Sequence, residues 1–219
     1  MVTDGRIERA KACYERSVFA GDHAGLDTAD RELDAVEAEL ALSRGRVRHA
    51  RFLARRDLDA TEDPAELPAF ERALALFRAL GQVRGEGESL FWIGVVHQVV
   101  RRDHATAVPL LERARDLAIQ VEDRETLAEA LRHLGIADHA AGRLEAAREH
   151  LTRSSELRRA AGQPAGVAAN MVGLGYIAAA DGRRDHALQI LAEADALARA
   201  HGAHAIVLQV EEARARLGQ

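Results

Sequence analysis

Residues 131–151 (LRHLGIADHAAGRLEAAREHL) and 171–191 (MVGLGYIAAADGRRDHALQIL) agree at a fixed offset of forty residues, and this internal repeat constrains the fold more than any other property of the chain. Leu134 matches Leu174, Gly135 matches Gly175, Gly142 matches Gly182 and Ala147 matches Ala187; beyond them Leu157 matches Leu197 and Gly162 matches Gly202. A third copy lies upstream. There Leu90, Ile93, Gly94, Ala107, Leu111 and Leu117 fill the same places, with one extra residue between Gly94 and Ala107. A unit this short cannot bury its own apolar face, so the copies must stack on one another.

Within each copy the inward positions recur at helical spacing, as in Leu131, Leu134 and Asp138, then Leu144, Ala147, Leu151, Ser154 and Leu157. Each copy is therefore a pair of helices. Gly142 and Gly182 fall between the two helices and suit the left-handed residue that ends a helix, and Gly162 followed by Pro164 ends the second helix of its copy. Gly135 and Ala147 then have a packing role, since small residues on facing helices let two backbones approach closely.

The set resembles the tetratricopeptide repeat, whose pattern runs W-x2-L-G-x2-Y, then a small residue in the second helix, then a large apolar one. The L-G pair stands as Leu134-Gly135 and Leu174-Gly175, with Ile93-Gly94 in the first copy; the small residue is Ala107, Ala147 or Ala187. Three in-register copies, over 86 to about 201, carry the resemblance. The period of about forty exceeds the usual 34. The family's tryptophan position holds Leu90, Leu131 and Met171, and its tyrosine position holds His97, Asp138 and Ala178. The resemblance implies an all-α fold, a right-handed superhelical α-solenoid of about four to five hairpins. Similar long-period arrays form the sensor or partner-binding portions of bacterial transcriptional regulators, which implies a regulatory or scaffolding role.

Outside the three clear copies, residues 64–81 read as the second helix of a fourth, with Phe70, Ala73 and Phe77 facing inward and Gly81 ending it; its first helix is expected over 46–57. Helices are also expected over 6–20 and 26–44, separated by the GDHAG turn, with Gly45 closing the second. The resulting organisation is an atypical N-terminal hairpin over 1–45, a repeat array over 46–204 and a C-terminal capping helix over 205–219. The cap is apolar at Ile206, Val210, Ala213 and Leu217. Atypical ends are expected where an array must meet water.

Composition agrees with close-packed helices: 47% of residues are apolar but only 4% aromatic, so the core is chiefly Ala, Leu and Val. The net charge of -5 argues against a nucleic-acid binder, because phosphate neutralisation needs a basic surface. Cys13 is the only cysteine, so no intramolecular disulfide forms. The charged MVTDGRIER start does not read as a signal peptide, and the longest apolar run, 172–180, is too short to cross a bilayer. A cytoplasmic protein is the expectation, with no membrane partner.

Several motifs invite chemistry. Gly173, Gly175 and Ala178 spell a dinucleotide-binding fingerprint, but they fall inside a repeat helix instead of after a strand. A Walker-type phosphate loop is excluded because Lys11 is the only lysine and no glycine loop precedes it. His201 and His204 flank Gly202, yet two ligands do not close a metal site. No metal and no cofactor are expected. His97 and Asp138 occupy nearly equivalent places on adjacent copies, which suggests a polar tie between them or a pH-sensitive pair. Arg44, Arg48, Arg51 and Arg55, with Arg46 and Arg56 alongside, form either an anion patch or a solvated stripe paired with Glu32, Asp34, Glu37 and Glu39 just before it.

In the family, ligands dock on the wall built from the first helix of each pair. The residues expected to project from it are Glu88, Phe91, Trp92, Val95 and Gln98 in one copy, Glu129, Arg132, His133, Ile136 and His139 in the next, and Ala169, Asn170, Val172, Gly173 and Tyr176 in the third. Trp92 and Tyr176 are the natural anchors, since aromatic rings supply large contact areas with few torsions to fix. The family's co-chaperone branch clamps a peptide carboxylate with Lys and Asn; the matching places hold Phe91, Trp92, Val95, Arg132 and His133, so that clamp is missing. The expectation is a non-catalytic interaction module that binds a partner protein or peptide. A small-molecule sensor using the same groove is the alternative, and an enzyme of specialised metabolism using His97, His133 or His139 as a base is a third. An apolar edge on a terminal hairpin would serve a homodimer.

Overall fold

Helical spacing of apolar side chains, repeated every forty residues, leaves one way to make a core here: helices that each bury one stripe against the next. The computed structural model, which describes residues 4–55 and 61–218, shows that arrangement, with ten α-helices and no strand among the described residues. In chain order the helices are α1 (Gly5–Ala20), α2 (Leu26–Arg55), α3 (Glu66–Leu80), α4 (Val83–Val95), α5 (His104–Gln120), α6 (Arg124–Ala140), α7 (Leu144–Ala160), α8 (Pro164–Ala180), α9 (Arg184–Ala200) and α10 (His204–Gly218). The described residues up to Asp103 form one compact unit and those from His104 onward form another.

In the second unit α6 packs on α7, α7 on α8, α8 on α9, and α10 on both α8 and α9. Hairpin geometry repeats faithfully. A Cβ on Gly135 would meet Leu151 Cγ at 3.0 Å and the Ala147 carbonyl at 3.2 Å, and one on Gly175 would meet Leu191 at 3.0 Å and the Ala187 carbonyl at 3.6 Å. The glycine thus lets the first helix rest on the backbone of the second in both copies. Ala147, Ala187, Leu191, Ala194 and Ala198 are fully buried. Helix ends repeat as well: Gly142 and Gly182 share φ +75°, and Gly162 and Gly202 have φ +66° and +65°. The equivalent places one copy earlier hold Arg102 and Glu122, which adopt φ +56° and +53° without glycine's freedom.

In the first unit α2 packs between α1 and α3, and α3 packs on α4. Phe70, Ala73 and Phe77 face inward as expected, and Gly81 ends α3 in the left-handed conformation. One expectation is corrected. Gly45 does not close a helix: α2 runs unbroken for 30 residues, and Gly45 is buried inside it against the Phe70 ring. The continuous α2 therefore replaces the two helices expected over 26–44 and 46–57; Arg56 and Asp57 lie outside the described residues. The one extra residue of the first copy also has a physical counterpart. Val96–Val100 is a π-helical turn continuing α4, closed by the Arg101 N–H on the Val96 carbonyl at 3.1 Å. A π turn is how a helix takes in one residue without ending.

Among the described residues, acids that precede the arginine stripe on α2 are engaged by other helices. Glu37 binds Arg72 of α3, while Glu39 and Glu32 bind Arg6 and Arg9 of α1. Arg48 binds Asp63 at 2.6 Å, and Arg46 pairs with Glu88 and lies over the Trp92 ring. Side chains that far apart along one helix reach neighbouring helices more easily than each other. No described helix is long and apolar enough to cross a membrane.

Candidate functional site

In the second unit the first helices of successive hairpins, α6 and α8, border a pocket of about 240 Å³. From α6 it is lined by Arg132, Gly135, Ile136 and His139, and from α8 by Ala169, Val172, Gly173 and Tyr176; Leu151 of α7 and Gln209 of α10 complete it. The helical period explains the selection: on each helix these positions recur at intervals of three and four, so they share one face. The His139 and Tyr176 rings lie 6.4 Å apart between centroids, tilted by 38°. Burial pushes the Tyr176 phenol above its ordinary pKa, a shift that Arg216 of α10 opposes and Glu212 reinforces.

Arg132 is the pocket's one charged lining residue among those described. Its only described hydrogen bond runs from Nη1 to Asn170 Oδ1 at 3.3 Å. Glu129, one turn earlier on α6, is engaged elsewhere, by Arg158 Nη2 at 2.7 Å. Burial, the largest influence on the Arg132 guanidinium, lowers its pKa; Glu129 opposes that shift and Arg158 adds to it. Beneath Arg132 runs a buried polar network. Asn170 Nδ2 donates to Ser154 Oγ at 2.9 Å and Ser155 Oγ at 3.2 Å, and the two hydroxyls donate to the carbonyls of Ala128 and Leu151. Buried polar groups of this kind persist only when partnered.

The other expected groove residues are placed as follows. Asn170 is fully buried and serves the network just described, and His133 is part-buried on α6. In the first unit Glu88 is held by Arg46, while Phe91, Val95 and Gln98 are buried. Trp92 stacks on Phe70 with centroids 5.5 Å apart and planes within 6°, and meets His49 edge-on at 5.6 Å. The cause is α2: its uninterrupted course carries Arg46 and His49 over this face of α4. Trp92 is therefore part of the first unit's interior packing.

Asp138, expected to pair with His97, is engaged inside its own hairpin. Asp138 Oδ2 accepts from His150 Nδ1 of α7 at 2.8 Å, and its Oδ1 is bound by Arg143 at 2.7 Å. A second histidine–carboxylate pair had no signal in the sequence: His49 Nδ1 lies 2.8 Å from Glu66 Oε1, both buried, and Glu66 Oε2 has no partner among the described residues. Gly173, Gly175 and Ala178 lie within α8, far from any strand-to-helix turn. His201 and His204 bracket the turn into α10, and no group of three or more His, Cys, Asp or Glu gathers among the described residues.

No curated protein sequence matches the chain. The tetratricopeptide repeat family model matches residues 86–160, which run from α4 to the end of α7. With the hairpins, the glycine contacts and the helix ends already described, that match identifies the segment from α4 to α7 as tetratricopeptide repeats.

Proposed function

We propose that the chain is a non-catalytic interaction module, a scaffold or regulatory adaptor, that receives a partner protein or peptide on the face shared by α6 and α8. Tetratricopeptide repeats generally mediate protein–protein interaction and are typically non-catalytic. The observation that carries the placement is the pocket itself. Ile136, Val172 and Tyr176 present apolar surface there around an arginine with hydrogen-bonding capacity to spare. The experiment is a pull-down from the native host with the full chain and with an Ile136→Ala/Tyr176→Ala double variant whose helicity is unchanged by circular dichroism. Loss of a specific partner supports the reading, and retention of the same set of proteins by the variant overturns it.

A small-molecule sensor is the second reading, and the pocket's mostly apolar lining with a few polar groups favours it. At about 240 Å³ the pocket lies just below the usual range for drug-sized ligands. Of the three histidines considered as bases, His139 is the one that lines this pocket.

A further inference from the structure

We propose that the pocket between α6 and α8 is a receptor site for a small organic monocarboxylate, its carboxylate held by Arg132 and its apolar body lodged against Ile136, Val172 and the Tyr176 ring. The proposal rests on the second reading above, that this pocket holds a small molecule, and it names the chemical class.

Charge supply is the first argument. A guanidinium carries five N–H donors in a planar fork, and among the described residues Arg132 uses one of them, on a neutral amide oxygen at the long distance of 3.3 Å. The carboxylate best placed to neutralise it, Glu129, is committed to Arg158. No Asp or Glu is among the lining residues. Two arginines, Arg132 and Arg158, thus share the one carboxylate of Glu129; a part-buried cation that is incompletely neutralised is costly, and a ligand carboxylate would satisfy it in the paired geometry that guanidinium groups favour.

The lining decides what the rest of the ligand is. Beyond Arg132 the wall is Ile136, Leu151, Ala169, Val172 and two glycines, with His139, Tyr176 and Gln209 supplying polar edges. One cation against such a wall suits a singly charged acid with an apolar body better than a phosphate, which carries more charge and no apolar part. The volume of about 240 Å³ accommodates roughly ten non-hydrogen atoms. Phenylacetate has that size, and phenylacetamide matches it in shape without the charge.

The test is isothermal titration calorimetry on the full chain with phenylacetate, hexanoate, phenylacetamide and acetate, repeated with Arg132→Gln and Arg132→Lys. The expected result is that phenylacetate or hexanoate binds about tenfold or more tightly than phenylacetamide and acetate. Arg132→Gln should abolish that preference and Arg132→Lys should keep part of it. Equal binding of phenylacetate and phenylacetamide overturns the carboxylate assignment while leaving a small-molecule pocket standing. No binding of either overturns both. Because the ligand comparison is made on the unaltered protein, it decides the matter even where a variant fails to fold, and amide chemical shifts of Ile136, Val172 and Tyr176 must move for binding to count as being at this site.

Discussion

The backbone of Gly45 on α2 lies directly against the ring of Phe70 on α3: a Cβ at position 45 would sit 2.4 Å from Phe70 Cε1 and 2.6 Å from Cζ. In an exposed helix, glycine to alanine gains about 1 kcal/mol. Here the ring, itself fully buried, has nowhere to go. Gly45→Ala is expected to lower stability by about 2 kcal/mol, the range of core overpacking. Guanidinium-induced unfolding followed by circular dichroism reads the sign, and a stabilised variant would contradict the contact.

Glu122 offers the opposite sign. It holds φ +53° at the place where later copies have Gly162 and Gly202. A non-glycine residue there costs roughly 1–2 kcal/mol, part of which glycine gives back through the freedom of the unfolded chain. Glu122→Gly should raise stability by about 0.5–1 kcal/mol and so raise the midpoint of a calorimetric melt.

His49 and Glu66 form a buried pair in which Glu66 is wholly enclosed and has one oxygen without a hydrogen-bond partner among the described residues. Removing His49 leaves the carboxylate with no partner. His49→Ala should therefore destabilise by about 3 kcal/mol, and the double variant His49→Ala/Glu66→Ala by less than the sum of the two single changes. Additive effects in equilibrium denaturation would show that the two side chains do not act together.

Acid should act through the first unit. Glu39 is held below its ordinary pKa first by Arg6, Glu62 by Arg101 and Glu37 by Arg72, while Asp63 is lowered first by the Ala65 N–H and then by Arg48. Because the folded values lie below the unfolded ones, the stability these groups contribute is complete above about pH 4.5 and is lost as the pH falls through the folded values. These groups lie near the surface, so each contribution is small. Arg101→Gln should flatten part of the pH dependence of the melting temperature below that pH and leave the neutral value little changed; an unchanged acid limb would remove Glu62 from the account.

What could be read from the sequence follows the repeat. Gly135, Gly175, Gly142 and Gly182 each announced a role because the copies could be compared, and the structure gives them matching contacts and dihedrals. Gly45 had no copy to compare with, and a glycine that ends a helix reads the same as one that admits a ring. The surroundings of Trp92 are not legible for a related reason: spacing fixes the face of a helix but not what lies over it, and His49 and Arg46 of α2 lie against this ring. Polar residues at inward positions, Asp138 and Ser154, were visible as breaks in the apolar stripe, and both anchor hydrogen bonds within the second unit. Gln209 of α10 carried no signal, because its place in the pocket depends on how the last helix docks on α8.

The stacking of Trp92 on Phe70 makes the chain its own optical reporter. As the sole indole, enclosed by side chains of α2, α3 and α4, it emits from one half of the chain only, whereas the backbone signal of the helices comes from both. Fluorescence can thus follow the N-terminal unit without a label.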